Sequence, residues 1–169
     1  MFPDSADALS ELSNHYKLVV LSNVDRASFA FTKEKLEAGK FTFDQICTAQ
    51  DIGSYKPDPA NFIYALEVIK DNYGIEKGQV LSTAQVCRSS LSFIESDVVT
   101  SASLQSLMHD HVPAQSLGMS SSYINRTGAS VGFVDSVAPT FEYKTLGEMA
   151  QAAKEAFESQ NISRCLANH

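Results

Sequence analysis

The run YKPDP at residues 55–59 restricts the fold more than any other stretch, because it fixes an extended segment and a helix start within five residues. A residue that precedes proline is pushed toward extended backbone, so no helix can begin before Asp58. Pro59 suits the first helical position, where its missing N–H costs nothing, and Asp58 is a favourable N-cap. We therefore predict a helix over 59–73 that ends at Gly74.

Lys56 lies beside the predicted start of that helix. Free backbone N–H groups, the positive end of the helix dipole and an ammonium group together favour a bound anion. The run therefore indicates a small-anion site at Lys56. The alternative is a surface lysine before an ordinary capped helix, and both interpretations stay open on this run alone.

Length and charge narrow the class of protein. The 169 residues are 44% hydrophobic and 20% charged, which suits one globular domain with a real core. The net charge is −7 and there is no basic run, so nucleic acid is not an expected partner. The three cysteines lack C-x-x-C or metal-ligand spacing, and no stretch resembles an export signal or a membrane span. We therefore expect reduced thiols, a cytoplasmic location and no membrane partner.

Helix and strand patterns alternate along the chain. Short apolar runs predict strands over 17–21, 43–48, 80–83 and 121–125, the last of which we expect to be the final strand. Helical spacing predicts a first helix capped by Asp4 or Ser5, followed by helices over 27–37 (closed by Gly39), 59–73 and 146–157. This alternation indicates a doubly wound parallel α/β sheet, with any site at the carboxyl ends of the strands.

Three motifs in a fixed order carry a resemblance to a known family. LSNVDR at 21–26, YKPDPANF at 55–62, and MHDHVPAQSLGM at 108–119 followed by YINR resemble the second, third and fourth motifs of the haloacid dehalogenase (HAD) superfamily. They are most similar to those of the type II 2-haloacid dehalogenases. The resemblance implies a HAD-like Rossmannoid fold and a hydrolase that cleaves carbon–halogen bonds.

The resemblance also implies roles for individual residues. Ser22 and Asn23 would bind the substrate by hydrogen bonds, although the alternative is that they only cap the following helix. Lys56 would neutralise negative charge that develops during the reaction. Asp110 would orient the lysine or the attacking water, or would help to hold Mg²⁺ if the protein is instead a phosphatase.

Two further assignments concern cofactors. His109, Asp110 and His111 could be read as a metal cluster, but neighbouring side chains on a helix cannot converge on one centre. We therefore expect no metal and no cofactor, apart from Mg²⁺ in the phosphatase alternative.

Residues 1–169 contain no stretch that resembles the first motif of the family, which supplies the family's aspartate nucleophile. The chain begins just inside the helix before the second motif, so we expect the nucleophile, the first and central strand, and the cap domain to lie upstream of Met1. Residues 1–169 then form a partial core domain with a tail over 158–169. The strands 17–21 and 80–83 would flank the missing strand, and we expect them either to pair directly or to have the apolar stretch 91–99 between them.

Three functions compete on these observations. The first is a HAD-type hydrolase that is inactive in the form of residues 1–169, because no covalent ester intermediate forms without the nucleophile. The second is a non-catalytic remnant that binds small carboxylates or phosphates, and the third is a gene-model fragment without function. The expected partner is a small-molecule carboxylate or phosphate, and a homodimer is an open alternative.

Residues 86–105 interrupt the resemblance between the third strand and the fourth motif. The stretch opens on Val, whose codons begin with GT, and closes on Gln, one of whose codons ends in AG. These are intron boundary signals, and a stretch of 20 codons preserves the reading frame. Our hypothesis is a translated intron; the alternative is a genuine loop.

We expect part of the mature transcript population to lack the codons for residues 86–105. Sequencing cDNA across the codons for residues 80–115 measures this directly. Transcripts that all retain the segment would contradict the intron hypothesis.

Overall fold

The computed structural model describes residues 2–85, 110–126 and 138–167. The elements in chain order are α1 (Ser5–Ser13), β1 (Val19–Ser22), α2 (Arg26–Glu37), β2 (Gln45–Thr48), α3 (Ala49–Ile52), α4 (Pro59–Tyr73), β3 (Leu81–Gln85), α5 (Val112–Ser116), β4 (Ser120–Ile124), β5 (Phe141–Tyr143) and α6 (Leu146–Ala167). A short 3₁₀ turn over Lys77–Gln79 leads into β3. The stretch 86–105 lies outside the described residues, as does the expectation about 91–99.

All described strand pairs are parallel, as predicted. β1 pairs with β2, in the register Val20 opposite Ile46. β3 pairs with β4, which in turn pairs with β5. In the described part of the chain, β1 and β3 do not pair with each other, so the expected direct pairing of these strands is not seen. The described strands thus form two parallel sheets, in the orders β1-β2 and β3-β4-β5.

The helix start at YKPDP forms as predicted. Asp58 has extended backbone (ψ 124°) and its carboxylate accepts a hydrogen bond from the N–H of Ala60 at 2.9 Å. Pro59 occupies the first turn of α4, and Gly74 ends the helix with a left-handed φ of 67°. The capping and proline rules therefore suffice to position Lys56 just before a helix.

Two other predicted caps are wrong. Asp4 makes no side-chain cap bond to α1; instead its carboxylate accepts from the Arg126 guanidinium at 3.0 Å and from the N–H of Gly147 at 3.3 Å. Helix α2 ends at Ala38, whose left-handed φ is 47°, one residue before the predicted Gly39. The first error arises because Asp4 binds distant partners, whereas the end of α2 at Ala38 is closed locally by a hydrogen bond from its N–H to the Glu34 carbonyl.

Element boundaries show further corrections. β5 follows β4, so the strand predicted over 121–125 is not the last one. α3 is a short helix where the sequence indicated only a turn, and α6 continues to Ala167 instead of ending at Phe157. β1 begins two residues later than predicted because the Asp44 carboxylate accepts the N–H of Leu18 at 2.8 Å, which replaces a strand ladder contact at that point.

The core lies between the helices and the faces of the sheets. One cluster joins α1, β4 and α6 through these buried residues: Ala8, Leu12, Ile124, Leu146, Met149, Ala150 and Ala153. Cys47, at the end of β2, is a buried free thiol, and burial raises its pKa to about 11. Among the described helices, none is both long enough and apolar enough to cross a bilayer.

Ile69 and Ile63 offer a matched test of the packing of α4. Ile69 is 7% exposed, whereas Ile63, on the same helix, is 44% exposed. We expect Ile69→Ala to lower the free energy of unfolding by about 2–5 kcal/mol, because it removes buried methyl groups and leaves a cavity. Ile63→Ala should change it by less than about 1 kcal/mol. Urea denaturation followed by circular dichroism measures both values, and equal losses would contradict this packing of α4.

Candidate functional site

Lys56 and Asp110 form the centre of the site. The Lys56 ammonium lies 2.5 Å from a carboxylate oxygen of Asp110 and also donates to the carbonyl of Leu21 at 3.0 Å. The two side chains are only 14% and 18% exposed. Leu21 lies in β1, one residue before its end, so the ion pair is located at the carboxyl end of the strand, where sites of doubly wound folds are found.

Asn23 is bound to the backbone of Lys56. Its Oδ1 accepts the N–H of Lys56 at 2.7 Å, and its Nδ2 donates to the carbonyl of Lys56 at 3.0 Å. The structure therefore brings together three of the predicted residues, Asn23, Lys56 and Asp110. Both polar atoms of the Asn23 amide already have protein partners.

Ser22 is the last residue of β1 and precedes Asn23. It lies opposite Thr48 in the strand register and is partly buried. Within the described ranges, no hydrogen bond joins its hydroxyl to another residue. Ser22 is thus next in sequence to Asn23, which contacts Lys56.

The turn that carries Lys56 is braced by its own side chains. Asn61, buried at 1% exposure, donates to the hydroxyl of Ser54 at 3.3 Å and to the carbonyl of Asp58 at 3.1 Å. The Ser54 hydroxyl in turn donates to the Asp58 carboxylate at 3.1 Å. Sequence analysis overlooked Asn61; its position three residues after a helix N-cap was the available signal.

The helix start of α4 contributes less to anion binding than the sequence suggested. Its first residue, Pro59, has no N–H. The N–H of Ala60 is taken by the Asp58 carboxylate, and the N–H of Asn61 by the Asp58 carbonyl. The first N–H groups of α4 are therefore already engaged, and the remaining positive group at this helix start is the ammonium of Lys56.

The other carboxylates that the motifs contain have structural partners. Asp25 caps α2, and hydrogen bonds from Ser28 hold its pKa below the usual range. Asp51 forms a capping box with Thr48, whose hydrogen bonds likewise lower the pKa of Asp51. Asp58 caps α4. Among the described residues, Asp110 is the carboxylate in contact with Lys56.

His111 adds a feature that sequence analysis did not identify. It is 1% exposed, and neither ring nitrogen has a hydrogen-bond partner among the described residues. Its ring meets the buried ring of Tyr123 edge-on at a centroid distance of 5.7 Å, and within the same described ranges the Tyr123 hydroxyl also lacks a partner. Burial lowers the pKa of His111, and the neighbouring Asp110 carboxylate only partly offsets this effect.

The two described residues of the possible metal cluster, Asp110 and His111, contact different partners. His111 is buried against Tyr123, whereas Asp110 reaches Lys56; His109 lies outside the described residues. In the ranges that the structure describes, no three His, Cys, Asp or Glu residues lie close enough together to hold a metal ion. Lys56 contacts one carboxylate oxygen of Asp110, so among the described residues of this site Asp110 is the carboxylate that could contribute to a Mg²⁺ site.

Comparisons with known proteins support the architecture. No protein-family model and no curated protein matches the sequence. Among solved structures, the HAD phosphatase from Thermococcus onnurineus is similar at 25% identity with a TM-score of 0.62. A magnesium-bound protein assigned as a HAD hydrolase, YfnB from Bacillus subtilis, has 19% identity and a TM-score of 0.67. A 2-haloacid dehalogenase from Pseudomonas syringae pv. Tomato DC3000 has 21% identity and a TM-score of 0.59.

The three likenesses cover 90%, 90% and 92% of this chain but only 57%, 55% and 54% of those proteins. The chain thus spans a little over half the length of its structural neighbours. At these identities the comparisons show the fold, which is the HAD-like Rossmannoid fold, and they include phosphatases and dehalogenases alike.

His111 predicts a pH dependence of stability. Because burial lowers its pKa in the folded protein, the unfolded chain binds more protons below about pH 6.5. We expect the free energy of unfolding to fall between about pH 6.5 and 5 by up to about 1.4 kcal/mol per pH unit. Carboxylates whose pKa is lowered become protonated mainly below about pH 4.5, so the loss of stability between about pH 6.5 and 5 is assigned to His111.

The matched variant is His111→Leu, which has a similar volume and no titrating group. We expect its stability to be nearly flat across the same window, as measured by urea denaturation at each pH. An unchanged slope in His111→Leu would show that another group causes the loss.

Proposed function

We propose that this chain carries part of the active site of a HAD-type hydrolase and binds a small carboxylate or phosphate at Lys56. The observation that supports this most strongly is the Lys56 and Asp110 pair, 2.5 Å apart at the carboxyl end of β1. A HAD-like fold and three of the family's motifs meet at the same place. Within this proposal the finer assignment is a 2-haloacid dehalogenase.

The ammonium group of Lys56 has the capacity for a further ligand. It has three N–H donors, of which one reaches Asp110 and one reaches Leu21. Because the pair is partly shielded from water, the attraction between the ammonium and an anion is stronger than at a fully exposed lysine. The remaining donor is the group that we assign to the carboxylate or phosphate of the substrate.

The proposed roles follow from this arrangement. Lys56 neutralises negative charge on the substrate and in the transition state. Asp110 holds the ammonium in position, and Ser22 offers its hydroxyl at the end of β1. Hydrolysis further requires an aspartate nucleophile, and we propose that this group comes from sequence outside residues 1–169.

We propose that residues 1–169 by themselves have no turnover. Asp25, Asp51 and Asp58 are engaged in helix caps, and their hydrogen bonds make them poor nucleophiles. Asp110 is neutralised by Lys56, which reduces its nucleophilicity in the same way. Binding without catalysis is therefore the second candidate function, favoured by these engaged carboxylates.

A HAD-type phosphatase is the alternative within the same fold, since phosphatases are among its structural neighbours. That reaction would use Mg²⁺, for which the described residues supply only Asp110. Titrations with and without Mg²⁺ separate the alternatives, because binding of phosphate that requires Mg²⁺ favours the phosphatase.

The binding prediction uses a pair of lysines. Lys56→Gln and Lys70→Gln remove the same charge, but Lys70 is 61% exposed and, among the described residues, pairs with Glu76. We expect Lys56→Gln to weaken binding of 2-chloropropionate or inorganic phosphate by about 10–100-fold, because a charge-assisted hydrogen bond is lost. Lys70→Gln should change the affinity less than about twofold. Isothermal titration calorimetry measures both.

The activity prediction uses the same proteins. We expect no release of chloride from 2-chloropropionate and no release of phosphate from p-nitrophenyl phosphate, with or without Mg²⁺. Chloride release by the wild type that disappears in Lys56→Gln would contradict the predicted absence of turnover, but it would support the proposed role of Lys56. Equal affinities of the wild type and Lys56→Gln for both anions would contradict the binding proposal.

A further inference from the structure

Asn23 is joined to the backbone of Lys56 by two hydrogen bonds, one accepted by its Oδ1 and one donated by its Nδ2. We propose that Asn23 is a positioning residue for Lys56 and does not itself bind the substrate. This inference rests on the proposed function, in that Lys56 is the anion-binding group. It differs from the role that the motif resemblance implies, in which Asn23 contacts the substrate.

The orientation of the Asn23 amide is determined by its partners. The backbone N–H of Lys56 can only donate, so the atom 2.7 Å away from it must be the amide oxygen. The carbonyl of Lys56 can only accept, so the atom 3.0 Å away must be the amide nitrogen. A flipped amide would place like groups against each other, and the two contacts therefore act as one clamp on a single residue.

The clamp connects segments that are distant in sequence. Asn23 and Lys56 are 33 residues apart, and the chain between them includes α2, β2 and α3. From the position that the clamp fixes, the Lys56 side chain returns to the same strand end and donates to Leu21. Both ends of Lys56, its backbone and its ammonium, are thus held by the end of β1.

Positioning is valuable for a lysine in particular. Its side chain has four rotatable bonds and loses much conformational freedom when its ammonium group is fixed. Because the clamp fixes the backbone of Lys56, part of this conformational freedom is already lost before an anion binds. Accurate placement matters because a small displacement of a charged group strongly reduces its interaction with the substrate. Asp110 and Leu21 then have to fix only the side chain.

The first experiment is a double-mutant cycle for binding of 2-chloropropionate and of inorganic phosphate. If Asn23 acts through Lys56, Asn23→Ala weakens binding about tenfold, but in a Lys56→Gln background the same change has less than about a twofold effect. If Asn23 contacts the anion, the two losses multiply. Multiplying losses would overturn the positioning role.

The second experiment measures Lys56 directly and does not depend on an anion. Lysine acylation followed by mass spectrometry should show faster labelling of Lys56 in Asn23→Ala, with Lys70 as the internal reference. Asn61→Ala is the matched control, because it also removes two side-chain hydrogen bonds from the turn before α4 but none from Lys56. Equal labelling of Lys56 in Asn23→Ala and Asn61→Ala would show that Asn23 only stabilises the turn, and would overturn the proposal.

A measurement on the wild type covers the case in which Asn23→Ala does not fold. The Lys56 amide N–H should be strongly protected from hydrogen exchange, although Lys56 lies in a turn outside the strands and helices. Fast exchange at this amide would overturn the clamp. If the wild type binds neither anion but labelling and exchange behave as described, the proposed function fails and the positioning of Lys56 by Asn23 stands.

Discussion

The ion pair between Lys56 and Asp110 is the contact on which the rest of the site depends. It joins residues 54 positions apart, and the lysine also binds Leu21, 35 residues away. Because both side chains are mostly shielded from water, removing one partner would leave a charge that water cannot fully solvate, which is far more costly than losing an exposed pair. The turn before α4 and the start of α5 are therefore held together by charge.

The sequence predicts correctly those structural features that depend on a few neighbouring residues. Asp58 and Pro59 act on backbone within a few residues of themselves, so their cap and helix start follow from local rules. The same holds for the parallel α/β class, which alternation alone indicates. Lys56 was predicted to lie just before a helix start because it belongs to such a locally determined run, and the structure places it there.

The features that sequence could not predict require a distant partner. Asp4 follows the pattern of a helix cap but instead binds Arg126, which is 122 residues away. The amide of Asn23 is directed to the backbone of Lys56, a contact that no spacing rule encodes. His111 was considered only as part of a metal cluster with its neighbours, yet its ring packs against the buried ring of Tyr123. In each case the competing contact is tertiary and outweighs the local preference.

The division of the described strands into two sheets makes the site and the stability of the fold interdependent. No backbone ladder joins β1 to β3 within the described residues, so the two halves are connected by helices and side chains. Helix α1 packs on both α2 and α6, helix α4 contacts both β1 and α5, and Lys56 bonds to both Leu21 and Asp110. In a fold with a continuous sheet, a site residue can be changed while the ladder keeps the halves in place. Here Lys56 joins the end of β1 to Asp110, so a change at Lys56 affects both binding and the alignment of the two halves. Comparison with Asn61 separates these effects, because Asn61 braces the same turn through hydrogen bonds that stay within it.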